Sequence, residues 1–175
     1  MIAGPFAPGR FVMSPEFRAN LAALALALAV VATAATAATE PAQLVDYADL
    51  MDALRDGAPV RVVADYGRCR LVMDGEEVTP PAAEGGMVID AWEHFARGAI
   101  GNERAYVVFS HASLIVHPRR GPVLNHVKFK VDEDGAVVIT ARYLDPRTYE
   151  ETMFEEFFTT IARGTEGAVW LYRLD

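Results

Sequence analysis

Val123-Leu124-Asn125-His126-Val127-Lys128-Phe129-Lys130-Val131, then Asp132-Glu133-Asp134-Gly135, then Ala136-Val137-Val138-Ile139-Thr140-Ala141-Arg142-Tyr143, is two alternating runs around a turn signal. Side chains point to alternate faces along a strand, so Val127, Phe129 and Val131 share one face. Val137, Ile139, Ala141 and Tyr143 share a face on the return arm. A two-residue loop at Asp134-Gly135 pairs Val131 with Val138 and puts the apolar sets on opposite sides, which exposes the core face. A three-residue loop, Glu133-Asp134-Gly135, pairs Val131 with Val137, Phe129 with Ile139 and Val127 with Ala141. The apolar residues then meet on one side, and His126, Lys128, Lys130, Thr140 and Arg142 meet on the other. Gly135 falls where such loops need a positive φ. One dry face and one wet face is the usual reading of an antiparallel sheet.

Outward from the hairpin the chain is mostly strand. Tyr106 to His117 reads as a long strand closed by Pro118 and Gly121. Val60 to Met73 reads as a strand region broken at Gly67. Glu76 to Gly86 reads as a loop, with Pro80-Pro81 and Gly85-Gly86. Met87 to Phe95 alternates imperfectly, with Met87, Ile89, Ala91 and Phe95 inward. Arg97 to Arg104 is a second loop. Asp145-Pro146 starts a short helical turn. Thr152 to Arg163 is ambiguous: Phe154, Phe157, Phe158 and Ile161 have helical spacing, while Thr159 and Thr160 favour a strand. Ala168 to Leu174 is the last strand. One helix precedes all of them, Asp46 to Asp56, with Tyr47, Leu50, Met51 and Leu54 on one stripe, Asp46 as cap and Gly57 as stop. Strands joined by short turns imply a mostly β, antiparallel fold. The expectation is a β-meander of about six to seven strands forming a barrel or half-barrel, with one N-terminal helix; a two-sheet β-sandwich is the alternative.

Residues 1–37 read as a signal peptide. Leu21 to Val31 is an unbroken Leu/Ala/Val run, Arg18 precedes it, and Ala32-Thr33-Ala34 and Ala35-Thr36-Ala37 are small-residue cleavage sites. Met13 would give a more ordinary start. A retained membrane anchor is the alternative, and only through such an uncleaved segment would the protein meet a membrane. Residues 38–45 are expected as a linker, and residues 46–175 as a single β domain.

The chain has 175 residues and a formal charge of −8. Arg10, Arg18 and Glu16 are the only charged residues of the leader, so the remainder of the chain is more acidic still. That argues against nucleic acid, whose readers carry a basic face. Cys69 is the single cysteine, so the chain forms no internal disulfide even in an oxidising compartment.

Several stretches together resemble the VirK family of small exported proteins. They are Leu50-Met51-Asp52-Ala53-Leu54-Arg55-Asp56-Gly57 leading into Val60-Arg61-Val62-Val63; Asp65-Tyr66-Gly67-Arg68-Cys69; Gly85-Gly86-Met87-Val88-Ile89-Asp90; Phe109-Ser110-His111; and Leu144-Asp145-Pro146-Arg147-Thr148-Tyr149. The resemblance runs from about Tyr47 onward. It implies export to the periplasm or extracellular space and, in some members, a virulence- or host-associated setting. It implies no established enzyme activity and no cofactor. Members tend to carry a further cysteine near the C-terminal strands, which Thr159 to Trp170 lacks here.

Candidate chemistry is sparse. His111 and His117 share a strand face but lie ~20 Å apart at ~3.3 Å per residue, so they cannot hold one metal ion. Ser110 or Ser113, His111 and Asp65 make a triad only on paper, with no Gly-x-Ser-x-Gly frame. Cys69 between Arg68 and Arg70 could be a lowered-pKa nucleophile or a small core residue. The coherent asymmetry is the basic stripe His126, Lys128, Lys130 and Arg142, a candidate surface for an anionic partner and otherwise a solvated face. The reading is therefore a monomeric, exported, non-enzymatic binding or interaction module for a protein or small ligand, without cofactor or metal. A small hydrolase or thiol enzyme using Cys69 or a histidine is the alternative.

Overall fold

The computed structural model describes residues 40–73 and 75–174. The expected signal peptide lies outside the described residues. The rest is two antiparallel sheets and one helix. The strands are β1 (Ala42–Leu44), β2 (Val60–Asp65), β3 (Arg70–Met73), β4 (Glu76–Val78), β5 (Glu84–Ile89), β6 (Glu93–Phe95), β7 (Tyr106–His117), β8 (Gly121–Asp132), β9 (Ala136–Leu144), β10 (Glu151–Thr160) and β11 (Val169–Arg173). The helix, α1, is Tyr47–Arg55.

The smaller sheet has the order β1-β11-β2-β5, the larger β4-β3-β10-β9-β8-β7-β6. Neither closes into a barrel, so the antiparallel β class holds and the two-sheet alternative is the arrangement adopted. The meander β6 to β10 is the expected one. What turns it into two sheets is a turn at Tyr66–Arg68, which passes the chain from β2 in the small sheet to β3 in the large one. The expected break at Gly67 is thus a change of sheet.

The hairpin register is as read: Val131 opposite Val137, Phe129 opposite Ile139, Val127 opposite Ala141. Gly135 has φ 86°, and its N–H donates to Asp132 O at 2.9 Å, closing the three-residue turn. Phe129 stacks on Phe109 from β7, centroids 5.3 Å apart. With Ile139 and Phe157 they form the floor of one apolar core, shared with Val62 and Leu171 of the small sheet and Leu50, Met51, Ala53 and Leu54 of α1. Asp46 caps α1, its side chain accepting from Asp49 N–H at 3.0 Å.

Four expectations change and one ambiguity resolves. The linker 38–45 contains β1, which pairs with β11 through Leu44 opposite Leu171. The loop Glu76 to Gly86 contains β4 and the start of β5. Thr152 to Arg163 is mostly strand β10, because pairing with β9 and β3 overrides its helical spacing. Asp145-Pro146 starts a turn without a helix, Asp145 accepting from the N–H groups of Arg147 and Thr148. Along β5 and its exit, Met87 and Ile89 face inward as expected, while Ala91 is exposed.

Candidate ligand cleft

The inner face of the large sheet is laid out in rows by its register. One row is Phe109, Phe129, Ile139, Phe157 and Leu71, all buried. The next is His111, Val127, Ala141 and Glu155. The third is Ser113, Asn125, Tyr143 and Met153. The apolar floor therefore gives way, within two rows, to a half-buried surface with polar side chains.

Opposite it hang Tyr66, from the turn between β2 and β3, and the Gly85-Gly86 pair of β5. The Tyr66 ring tilts against Phe157, centroids 4.9 Å apart. A Cβ on Gly85 would sit 3.1 Å from that ring, and one on Gly86 would sit 2.7 Å from the Val62 carbonyl oxygen. Glycines here are a packing requirement: they let β5 pass close over β2 and leave room for Tyr66. Two adjoining cavities result. One, about 310 Å³, is lined by Tyr66, Met87, His111, Ser113, Asn125 and Phe129 among others. The other, about 170 Å³, is lined by Tyr66, Asn125, Tyr143, Met153, Glu155 and Phe157 among others. Tyr66, Asn125 and Val127 line both.

Electrostatics separate the lining residues. Burial pushes the Glu155 carboxyl above the ordinary glutamate range, and nearby Arg120 offsets this only in part. Arg120 is engaged elsewhere, its guanidinium donating to Thr152 O at 2.9 Å. Burial also raises the Tyr66 phenol, with Cys69 adding to it. His117, at the far end of β7, tilts against the Tyr143 ring at 5.5 Å.

The basic stripe lies on the opposite, outer face, with His126 across from Arg142 as expected. Its charges are largely taken. Lys130 Nζ is 2.6 Å from Asp132 Oδ1 and 4.7 Å from the Tyr106 ring centroid. Arg142 is 3.5 Å from Glu151 and lies over Phe154. Burial, then Arg142 and Lys128, hold His126 below the usual histidine range. Among the described residues Lys128 makes no ion pair, and Glu156 shares its row through Thr140.

Cys69 is 5 % exposed, and its thiol donates to Asp65 O at 3.3 Å. Burial pushes its pKa up to about 11, more than the Thr159 hydrogen bond and Arg68 pull it down. The two arginines that flank it in sequence turn away: Arg68 lies over Trp170 and donates to Thr165 O, and Arg70 lies over Phe158. Ser110 and His111 face opposite sides of β7, while Ser113 shares the inner face with His111. Asp65 lies on β2 opposite Glu84. Among the described residues no three His, Cys, Asp or Glu side chains are grouped to hold a metal ion.

The cleft residues were partly legible. Asn125 has the parity of Val127 and Phe129, so the hairpin register already puts a polar side chain on the dry face. Glu155 was hidden because its segment could be read as helix. Tyr66 was hidden because a turn residue has no face until the sheets are placed.

Fold and cleft define a class of protein, a two-sheet antiparallel β protein with an open cleft of mixed polarity on its larger sheet. The VirK protein family model matches residues 43–149. That is more than half of the chain, and the protein belongs to the VirK family. A crystal structure of a VirK family protein from Legionella pneumophila is similar, with a TM-score of 0.57 at 16% sequence identity. The match covers 74% of this chain and 97% of that one. At that identity the likeness is one of fold. A search among curated proteins gives no match.

Proposed function

We propose that this VirK-family protein is an exported, non-catalytic binding module that takes a small ligand in the cleft of its larger sheet. One observation carries the reading: the inner rows His111 to Glu155 and Ser113 to Met153 are left open and hold polar side chains. Apolar and aromatic walls with a few polar groups between them are the usual lining of a small-molecule site. The buried Cys69 thiol, with its pKa near 11, supports binding over thiol chemistry, since the thiolate is the nucleophile. The run Leu21 to Val31 and its two Ala-Thr-Ala sites support export. The host-associated setting rests on the family alone.

The test is a titration of isotope-labelled protein with a panel of small cationic, neutral and anionic compounds, read by amide correlation spectra. Shifts clustered at Tyr66, His111, Asn125 and Tyr143 are the expected result. Shifts confined to the Lys128 face, or a panel without any binder, overturn the reading.

A further inference from the structure

The ligand class can be narrowed, on the reading that the cleft is a binding site. We infer that the smaller cavity is a site for an organic ammonium headgroup, held by the Glu155 carboxylate between the rings of Tyr66 and Tyr143.

Size comes first. About 170 Å³ is below the few hundred Å³ of a site for a drug-sized ligand, so it suits a headgroup whose tail continues past Tyr66. The larger cavity, with Ser113, His111 and Met87, receives that tail, and Asn125 stands at the junction. Charge comes next. Glu155 is the one acidic side chain lining the smaller cavity, and no Lys, Arg or His lines it. Among the described residues Glu155 makes neither an ion pair nor a hydrogen bond, and only Arg120, acting through space, offsets its charge in part. An anion would meet this carboxylate in a partly desolvated place, where like charges repel strongly.

The aromatic walls separate a cation from a neutral ligand. Ring faces carry negative potential and attract cations, most strongly when water is excluded. Elsewhere this protein fills such faces itself: Arg68 over Trp170, Arg70 over Phe158, Lys130 over Tyr106 and Arg142 over Phe154. Among the described residues no Lys or Arg lies over Tyr66 or Tyr143; Tyr66 meets Phe157 and Tyr143 meets His117, each ring tilted against the other. Two tyrosine rings, Phe157 and Met153 line one small cavity with a carboxylate, which are the elements of a cation-binding box. Arg120, whose charge acts on Glu155, does not line the cavity and donates to the Thr152 carbonyl.

The probes are choline and the uncharged alcohol in which carbon replaces its nitrogen. They share shape and differ in charge. Choline should shift Tyr66 and Tyr143 and bind about tenfold or more tightly than the alcohol, the ratio expected of a partly desolvated cation–π site. Glu155→Gln removes the coulombic attraction and should cost choline about tenfold while leaving the alcohol unchanged, and Arg120→Gln should strengthen choline. Equal affinity for the two probes, or no loss in Glu155→Gln, overturns the inference. If neither probe binds while the wider panel still finds the cleft, the cation is wrong and the binding reading stands. An empty panel removes both.

Discussion

Glu155 is a side chain that the fold alone does not need. Its neighbours along the inner face of β10 are Phe157, at 2 % exposure, and Met153. A carboxylate in that line loses more to desolvation than the charge of Arg120 returns, which is why its pKa is raised. The consequence for stability has a definite sign. An acid whose folded pKa lies above its unfolded one binds its proton more tightly in the folded state, so the folded state is penalised once pH rises through that interval. Glu155→Gln removes the penalty and keeps the shape. It should melt at a higher temperature than the parent at neutral pH, and the gap should close as pH falls to the ordinary glutamate value of 4.5. Melting curves across that range check it, and a gap that persists at the acid end would place the cost elsewhere than in the charge. Lys130 carries a similar lesson. It reads as part of a free basic stripe, yet it lies against Asp132, which is 9 % exposed, so reversing its charge would strand a buried acid beside a like charge. Stripe experiments belong on Lys128.

Among the elements, the β8–β9 hairpin was fully legible and β1 was not, for one physical reason. A hairpin carries its own partner a few residues away, so turn chemistry and alternation specify the register locally. β1 is three residues, Ala42-Gln43-Leu44, with no pattern of its own. Its partner β11 is over a hundred residues on, and the contacts that hold it, such as Gln43 to Ala162 O at 3.1 Å, are visible only once the chain has folded. β10 lies between these cases, since its phenylalanines fit either period until β9 and β3 flank it. The hairpin register makes the sharpest demand on neighbouring residues. Phe129 is 1 % exposed and Lys128 points to solvent on the next position. Phe129→Asp should cost at least about 4 kcal/mol, from a lost core ring and a buried unpaired charge. Lys128→Asp should cost less than about 1 kcal/mol. Urea unfolding of both variants decides it, and similar midpoints would mean that the strand is rolled over.

At the scale of the whole molecule the question is whether two sheets behave as one unit. The sequence made a single sheet curling on itself the natural expectation, because the break at Gly67 marks a bend without saying that β2 and β3 part into different sheets there. The separation creates the cleft: the apolar core fills the space over the Phe109 to Leu71 row, while β5 and Tyr66 leave a cavity over the rows that hold His111 and Asn125. The cover is cemented by one continuous apolar cluster that includes Val60, Val62, Ile89, Val169 and Leu171 from the small sheet and Leu71, Phe129, Ile139 and Phe157 from the large. Neither sheet has a core of its own, since both contribute to the single cluster that they share with α1. Unfolding one should therefore expose the other and proceed in a single cooperative transition. Leu171→Ala and Ile139→Ala, one in each sheet and both at 0 % exposure, should each lower stability by about 2–5 kcal/mol. Each should move the whole transition, with far- and near-ultraviolet circular dichroism remaining superimposed. A variant that splits the curve, melting one sheet's signal while the other's stays in place, would show that the sheets are separately stable and that the cleft between them is a hinge.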